Sequence, residues 1–372
     1  MKLSGYDNGP MATRQKKARA GSGEGRKKRS DGLATLKDVA RTARVSTATV
    51  SRVMNDQPGA GDAVRQRVLA VMRDLDYAPR AAARHLSSKR ADTIGVVFQD
   101  LTAGWFMSIY LGIFNRLRGH YHVLTSLSSR EGDEFDLPRR VLAERRVDGL
   151  LWLDMRATPR MMRDLNRQGV PLVVLQQSID DPLVSTVSID SRSGAYQATK
   201  HLLDLGRRRM LVVSGLPENP DSQRKLDGVR SAFAERGMEL RADQMLVGHH
   251  MGYHAVRAIE AHLQLHKMPD AILAFNDDMA IALLLWLRGR GVRVPEDVSV
   301  VGYDGIPEAA FLGLTTVETP LVDMGVMAAQ LLVENLERPQ VDRPARQVIL
   351  QGTLRIRESC GARPHVAVEP GV

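Results

Sequence analysis

Seven nearly continuous apolar runs, each separated from the next by a helix-patterned stretch, constrain this chain more than any other feature. The runs are TIGVVF, HVLTSL, GLLWLD, PLVVLQ, RMLVVSG, AILAF and VSVVGYD, between Thr93 and Asp304. Unbroken apolar runs read as strands buried on both faces, the mark of a parallel sheet covered by helices. Between and after them lie amphipathic stretches at 105–118, 134–146, 159–168, 192–205, 223–236, 252–266, 277–290 and 321–336. The alternation predicts doubly wound α/β structure. About 270 residues suit two such lobes better than one. Chain crossings between the lobes are expected near Asp190, Val317 and Gln347.

The part before Thr93 has a different character. Residues 1–90 carry 20 Lys/Arg against 8 Asp/Glu, whereas the remainder carries 32 against 35. A basic head on a near-neutral body is expected to meet a polyanion. Residues 1–32 are basic, Gly-rich and poor in apolar groups, and read as a disordered tail that adds non-specific attraction to phosphate. Residues 363–372 read as a C-terminal tail. The chain starts without an apolar signal-peptide core and has no 18-residue apolar stretch, so the expected location is the cytoplasm, with no membrane contact. One cysteine, Cys360, excludes an intramolecular disulfide.

Within 33–79 three short helices are predicted. Thr35 and Asp38 have capping-box spacing, and Leu36, Val39, Ala40 and Ala43 fall on one face. After a break at Arg44-Val45, Ser46 can cap a second helix that buries Val50 and Val53. A third helix turns Val64, Val68, Met72 and Leu75 inward. Two helices joined by a tight turn are the helix-turn-helix layout. On the second helix Thr47, Ala48, Ser51 and Arg52 share the face opposite the valines. Thr and Ala can meet thymine methyls, and Arg can fork onto guanine. A solvated face is the alternative, and the basic head weighs against it. The segment from Pro79 to Ser87 has helical composition but is too short to form a helix in water without a partner.

The stretch TLKDVARTARVSTATVSRVMN resembles the DNA-binding signature of the LacI/GalR family of bacterial transcription regulators. DYAPRAAARHLSSKRADTIGVVF resembles that family's third-helix end, hinge helix and first strand. NDDMAIALLLWLRGRGVRVPEDVSVVGYDG with LTTVETPLVDMG resembles its C-terminal ligand-lobe signature. The resemblance implies a homodimer on a palindromic double-stranded operator, with a hinge helix and linker at 80–92 and an effector-binding body at 93–362. Thr47, Ala48 and Arg52 match base-reading positions, and Leu86 matches a hinge leucine that wedges into the minor groove. Thr35, Ser46, Thr49, Ser51, Asn55 and Ala83 complete the expected DNA-facing set. The chain departs from the family at Gly61 and Val64, where a capping Ser and a Thr are commoner, which removes the expected side-chain cap of the third helix.

In open α/β sheets ligands sit beyond the carboxyl ends of the strands. Asp100, Trp105 and Phe106 follow the first run, Asp154 the third, Gln176 and Gln177 the fourth, and Asn276 and Asp277 the sixth; Asp304 ends the seventh. Carboxylates accept from hydroxyls and rings cover sugar faces, so a carbohydrate effector is expected. Asn276 and Asp277 can equally be helix caps. The resemblance places a ligand-contacting aspartate at Asp304. It also places an arginine where this chain has Lys225, with Arg224 beside it. The expected effector set is Asp100, Trp105, Phe106, Gln177, Lys225, Asn276 and Asp304. His249, His250 and His254 lack the acidic partners of a metal site. GSGEGR follows no strand, so it is no nucleotide loop. No cofactor is expected. An enzyme with a DNA-binding head would need a phosphate loop after a strand, and a secreted solute-binding protein would need a signal peptide. Neither accompanies this sequence, and a non-enzymatic regulator, most simply a repressor, is the reading.

Overall fold

The computed structural model describes residues 34–54, 57–77, 90–99, 104–128, 133–154, 156–169, 171–177, 184–337 and 345–362. The expectations for the tails, Asn55, Ala83, Leu86, Asp100 and the hinge segment 78–89 lie outside these residues. The chain divides into two compact units, parting between residues 83 and 84.

The first unit holds helices α1 (Leu36–Ala43), α2 (Thr47–Met54) and α3 (Asp62–Asp74). The capping box at the start of α1 is formed: Asp38 N donates to Thr35 Oγ1 at 3.3 Å, and Thr35 N donates to Asp38 Oδ2 at 3.0 Å. Arg44 ends α1 in the left-handed region at φ 53°, and Val45 N reaches back to the Ala40 carbonyl at 3.0 Å. That closure makes the turn tight, as a left-handed C-terminal residue does. Ser46 caps α2 by accepting from Thr49 N at 3.0 Å. Gly61 precedes α3 with no side-chain cap, as its composition requires. Val39, Ala43, Val50 and Val68 are wholly buried, with Val64, Met72 and Leu75 packed around them.

The second unit contains two six-stranded sheets. Its first lobe is built from β1 (Thr93–Phe98), α4 (Gly104–Leu117), β2 (His122–Leu127), α5 (Asp133–Ala143), β3 (Gly149–Leu153), α6 (Pro159–Asn166), β4 (Leu172–Leu175) and β5 (Ser185–Ile189). The second lobe follows with α7 (Ser191–Asp204), β6 (Met210–Ser214), α8 (Pro220–Ala234), β7 (Met245–Val247), α9 (Gly252–Leu263), β8 (Ala271–Ala274), α10 (Asp277–Gly289), β9 (Ser299–Asp304), α11 (Pro307–Phe311) and β10 (Thr315–Glu318). The chain then returns to the first lobe for α12 (Leu321–Glu337) and β11 (Gln347–Leu350), and ends in the second with β12 (Thr353–Arg355). Strand orders are β11-β5-β4-β3-β1-β2 and β12-β10-β9-β8-β6-β7. Among the described residues every strand pairing is parallel except that of β10 with β12.

The three crossings fall at Asp190, between Glu318 and Leu321, and between Leu350 and Thr353. The first matches its expectation, and the other two come a few residues later because β10 and β11 run to their ends before the chain leaves. All three leave from the carboxyl end of a parallel strand. The carboxyl edges of both sheets therefore meet the hinge, and the cleft lies between them.

All eight long helices stand within a few residues of their predicted bounds. The fifth helix stops early because Arg145 takes φ 50°. α8 starts earlier than predicted, at Pro220, because Asn219 Oδ1 caps Asp221 N at 2.8 Å. In the first lobe α4 and α12 cross at backbone contact: a Cβ on Gly112 would stand 2.0 Å from the Val322 carbonyl oxygen, so only glycine fits there. No helix among the described residues is long and apolar enough to cross a membrane.

Candidate DNA-reading face and ligand cleft

On α2 the side chains of Thr47, Ala48 and Arg52 are exposed opposite the buried Val50 and Val53. The Arg52 guanidinium has no partner among the described residues. The loop that follows lies beside its stem. Gly59 is there in the left-handed region at φ 110°, and a Cβ on it would stand only 3.8 Å from Arg52 Cδ. Thr35, Ser46 and Thr49 have other work. Thr35 Oγ1 donates to Asp38 at 2.6 Å, and the Ser46 and Thr49 hydroxyls bond each other at 2.9 Å. Ser51 is partly buried. The face available for base edges is thus Thr47, Ala48 and Arg52.

In the body, Trp105 is partly buried and packs against the apolar cores of both lobes, so it stands in the cleft. Phe106 is placed differently. It is 1 % exposed, and its ring meets Phe98 edge-on at 3.7 Å between centroids, which commits it to the first lobe's core. Gln177 is buried, and its amide donates to the Asp154 carbonyl at 2.7 Å. Asp154 is fully buried. Its carboxylate accepts from Arg156 at 2.8 and 3.0 Å and from the Ser128 hydroxyl. These groups brace the first lobe's edge.

Across the cleft, Lys225 is 4 % exposed. Its ammonium donates to the Phe275 carbonyl at 2.9 Å, pairs with Asp221 at 2.9 Å and lies 3.9 Å from the centroid of the Tyr303 ring. Three partners account for its three hydrogens, so the lysine is sealed beneath the cleft wall. Burial pushes the Asp221 carboxyl up, and Lys225 and Ser191 outweigh it and hold that carboxyl below its usual range. Asp221 is a residue that sequence reasoning missed, although its i, i+4 spacing to Lys225 on a helix was visible. Arg224 Nε is buried with no hydrogen-bond partner among the described residues.

Asn276 serves as the α10 cap, accepting from Met279 N at 3.0 Å, and donates to the His250 carbonyl at 2.9 Å. The cap reading therefore accounts for it. Asp277 is also committed. Its two oxygens accept from Thr316 Oγ1 (2.6 Å), Gly305 N (2.7 Å) and Ile306 N (2.9 Å), and burial raises its pKa to about 6. It pins the loop that carries Asp304. The His250 imidazole covers Gly215 and meets Ser222 Oγ at 3.4 Å; burial, then Lys225, lowers its pKa to about 4. Among the described residues no group of three His, Cys, Asp or Glu side chains is placed to hold a metal ion.

Asp304 stands apart. It ends β9 half-buried at φ 114°, a conformation that costs a non-glycine residue free energy. Its carbonyl accepts from Thr319 N and Oγ1 at 2.9 and 3.0 Å. Its carboxylate has no hydrogen-bond partner among the described residues. Burial pushes that carboxyl well above its usual range, and Lys225 opposes the shift.

Known proteins share both units. Residues 35–80 match the family model of bacterial regulatory proteins, lacI family, and residues 199–360 match the periplasmic binding protein-like domain. The HTH-type transcriptional repressor PurR of Photobacterium profundum is 34% identical over 316 residues, covering 84% of this chain and 94% of that one. Catabolite control protein A of Priestia megaterium is 31% identical over 83% of this chain and 94% of its own length. Among solved structures, a complex of the transcriptional regulator CelR with cellobiose is 30% identical, with a TM-score of 0.64 over 88% of this chain and 99% of that one. The lac repressor dimer bound to operator and the anti-inducer ONPF shares the fold at 24% identity, with a TM-score of 0.80 over 89% of this chain and 100% of that one. A three-helix head that matches the family's DNA-binding model and a two-lobed body, shared over so much of these relatives' length, settle the family: the chain belongs to the lacI family of bacterial regulatory proteins, as a DNA-binding transcriptional repressor with a ligand-binding body of the periplasmic type.

Proposed function

We propose that this repressor works in the cytoplasm as a homodimer, with one head on each half of a palindromic operator, and that a sugar or sugar derivative bound in the cleft sets its affinity for DNA. The observation that carries the ligand reading is the Asp304 carboxylate, which has no hydrogen-bond partner among the described residues, while Lys225, Asn276, Asp277 and Gln177 are engaged. A carboxylate accepts from two adjacent hydroxyls, and the indole of Trp105 offers a face to the apolar side of a sugar ring. The cellobiose complex of CelR, similar over most of its length, supports a carbohydrate. The dimer is supported by α4. Met107, Leu111 and Phe114 recur at four- and three-residue spacing and are 59%, 49% and 45% exposed, which makes an apolar stripe without cover in one protomer.

Thermal-shift screening of sugars, sugar acids and nucleobases tests the ligand, because a specific ligand raises the melting temperature by mass action. Asp304→Ala should abolish the shift given by the active sugar and leave operator binding intact. A screen in which only nucleobases raise the melting temperature overturns the carbohydrate reading. Sedimentation of wild type beside Leu111→Glu tests the dimer.

A further inference from the structure

The edge of the second lobe's sheet opposite the cleft holds a second cavity, of about 160 Å³. Met210, which opens β6, Gln244, which precedes β7, and Pro269, just before β8, form part of its wall. Its volume equals the room of roughly five water molecules. Arg208, Arg209, Arg241, Lys267, His262 and His266 line it, and of these the Arg208 guanidinium donates to the Leu203 and Arg207 carbonyls at 2.7 and 3.1 Å.

The acids nearby are already engaged. Asp243, the one acid among the described lining residues, forks onto Arg241 with contacts of 3.0 and 3.0 Å. The Asp270 carboxylate accepts the backbone N–H groups of Arg208 and Arg209 at 3.1 and 2.9 Å. Gln244 fixes the wall between them, donating to the Met210 carbonyl and accepting from Arg241 N, each at 3.0 Å. The side chains of Arg209 and Lys267 have no partner among the described residues. Residues 91–372 carry 32 Lys/Arg against 35 Asp/Glu, so this gathering of positive charge is local.

The two imidazoles stack at 4.3 Å with their planes 17° apart, one helical turn from each other near the end of α9. Burial, then the neighbouring His266, lowers the His262 pKa. Two histidines at this spacing could clamp a transition metal. Four permanent cations around them would repel one, and an anion would be attracted by the same charges.

We propose that this cavity is a binding site for the dianionic phosphate group of a small molecule, separate from the cleft. Arginine guanidinium groups offer forked donors that match phosphate oxygens, and Lys267 adds a mobile point charge. The cavity has space for one tetrahedral oxyanion, which could be free phosphate or the head of a phosphate monoester.

Calorimetric titration of the full chain at low, chloride-matched ionic strength tests the site. Inorganic phosphate and glycerol 3-phosphate are the two probes, each also titrated into the double variant Arg209→Ala, Lys267→Ala. The head and tail are identical in both proteins, so their attraction for phosphate cancels in the comparison. At least a tenfold loss of affinity in the variant is expected, with the His262 and His266 ring signals moving on titration in the wild type alone. Tighter binding of the monoester identifies a phosphorylated metabolite as the source, and equal or tighter binding of inorganic phosphate identifies the free ion. His266→Asn, a change at an exposed ring, serves as a second variant should the double variant melt early, and the same loss is expected of it. Equal affinity in wild type and variants, with unmoved ring signals, overturns the proposal.

Discussion

The reading face of the head and the walls of the cleft were both picked out by residue type, and the structure treats them in opposite ways. On α2, Thr47, Ala48 and Arg52 stand exposed, and the Arg52 guanidinium has no partner among the described residues. In the cleft, Lys225, Asn276, Asp277, Gln177 and Asp154 are engaged with their own lobe, and Asp304 is the exception. Solvation explains the difference. An exposed guanidinium is bonded by water until DNA replaces the water, so leaving it open costs little. A polar group inside a narrow cleft must find a protein partner or bear its desolvation. Residues that keep spare valence should therefore cost binding when removed, and residues that spend it should cost stability.

The largest expected effect comes from the spent class. Lys225→Ala leaves the Asp221 carboxylate buried without its cation, so stability should fall by ~3–5 kcal/mol, read by urea denaturation of the body. A variant as stable as wild type that merely fails to bind ligand would break the comparison and return Lys225 to the ligand-contacting set. Next is a dependence on pH. His250 has its pKa lowered from the ordinary value to about 4, first by burial and then by Lys225. The folded state favours the neutral ring, so its contribution is fully present above about pH 6.5 and is lost as the pH falls through about 4. The loss is on the order of 3 kcal/mol. His250→Asn should flatten that part of the stability profile, and an unchanged slope would remove His250 from the buried network.

The spare class gives smaller numbers and another readout. Arg52→Ala should leave the melting temperature unchanged and weaken operator binding by ~1–3 kcal/mol per half-site. Weak, salt-sensitive binding to random DNA should persist. Retained preference for operator over random DNA would show that Arg52 contacts only phosphate. Thr35→Ala tests a head residue that belongs with the spent class. Loss of its cap should cost about 1 kcal/mol of head stability, measured by hydrogen exchange in α1.

Periodicity carried the fold further than residue type carried the site. The seven long runs and eight long helices were legible because each spans enough residues to show its period. Five short strands were not. β5 reads STVSI and β10 reads TTVE, and their serines and threonines hide a location that is almost wholly buried. β7, β11 and β12 have three or four residues each, too few to display alternation. The places of Asp304 at the end of β9 and of Trp105 between the two cores were legible from the strand order, whereas the commitment of Phe106 to Phe98 was not. Spacing cannot reveal which of two adjacent rings turns inward. Asn219-Pro220 was a readable helix start that the apolar pattern overshadowed.

The return of the chain to the first lobe has a consequence for how the molecule is made. α12 covers that lobe's sheet and β11 completes its edge, yet both follow all of the second lobe except its last strand, β12, in sequence. During synthesis the first lobe waits, its apolar sheet face only part-covered by α4, until residue 350 has emerged, while residues 191–318 already hold five of the six strands of the other sheet. The later segment should therefore reach its native core first, and the earlier one should be the species that chaperones meet.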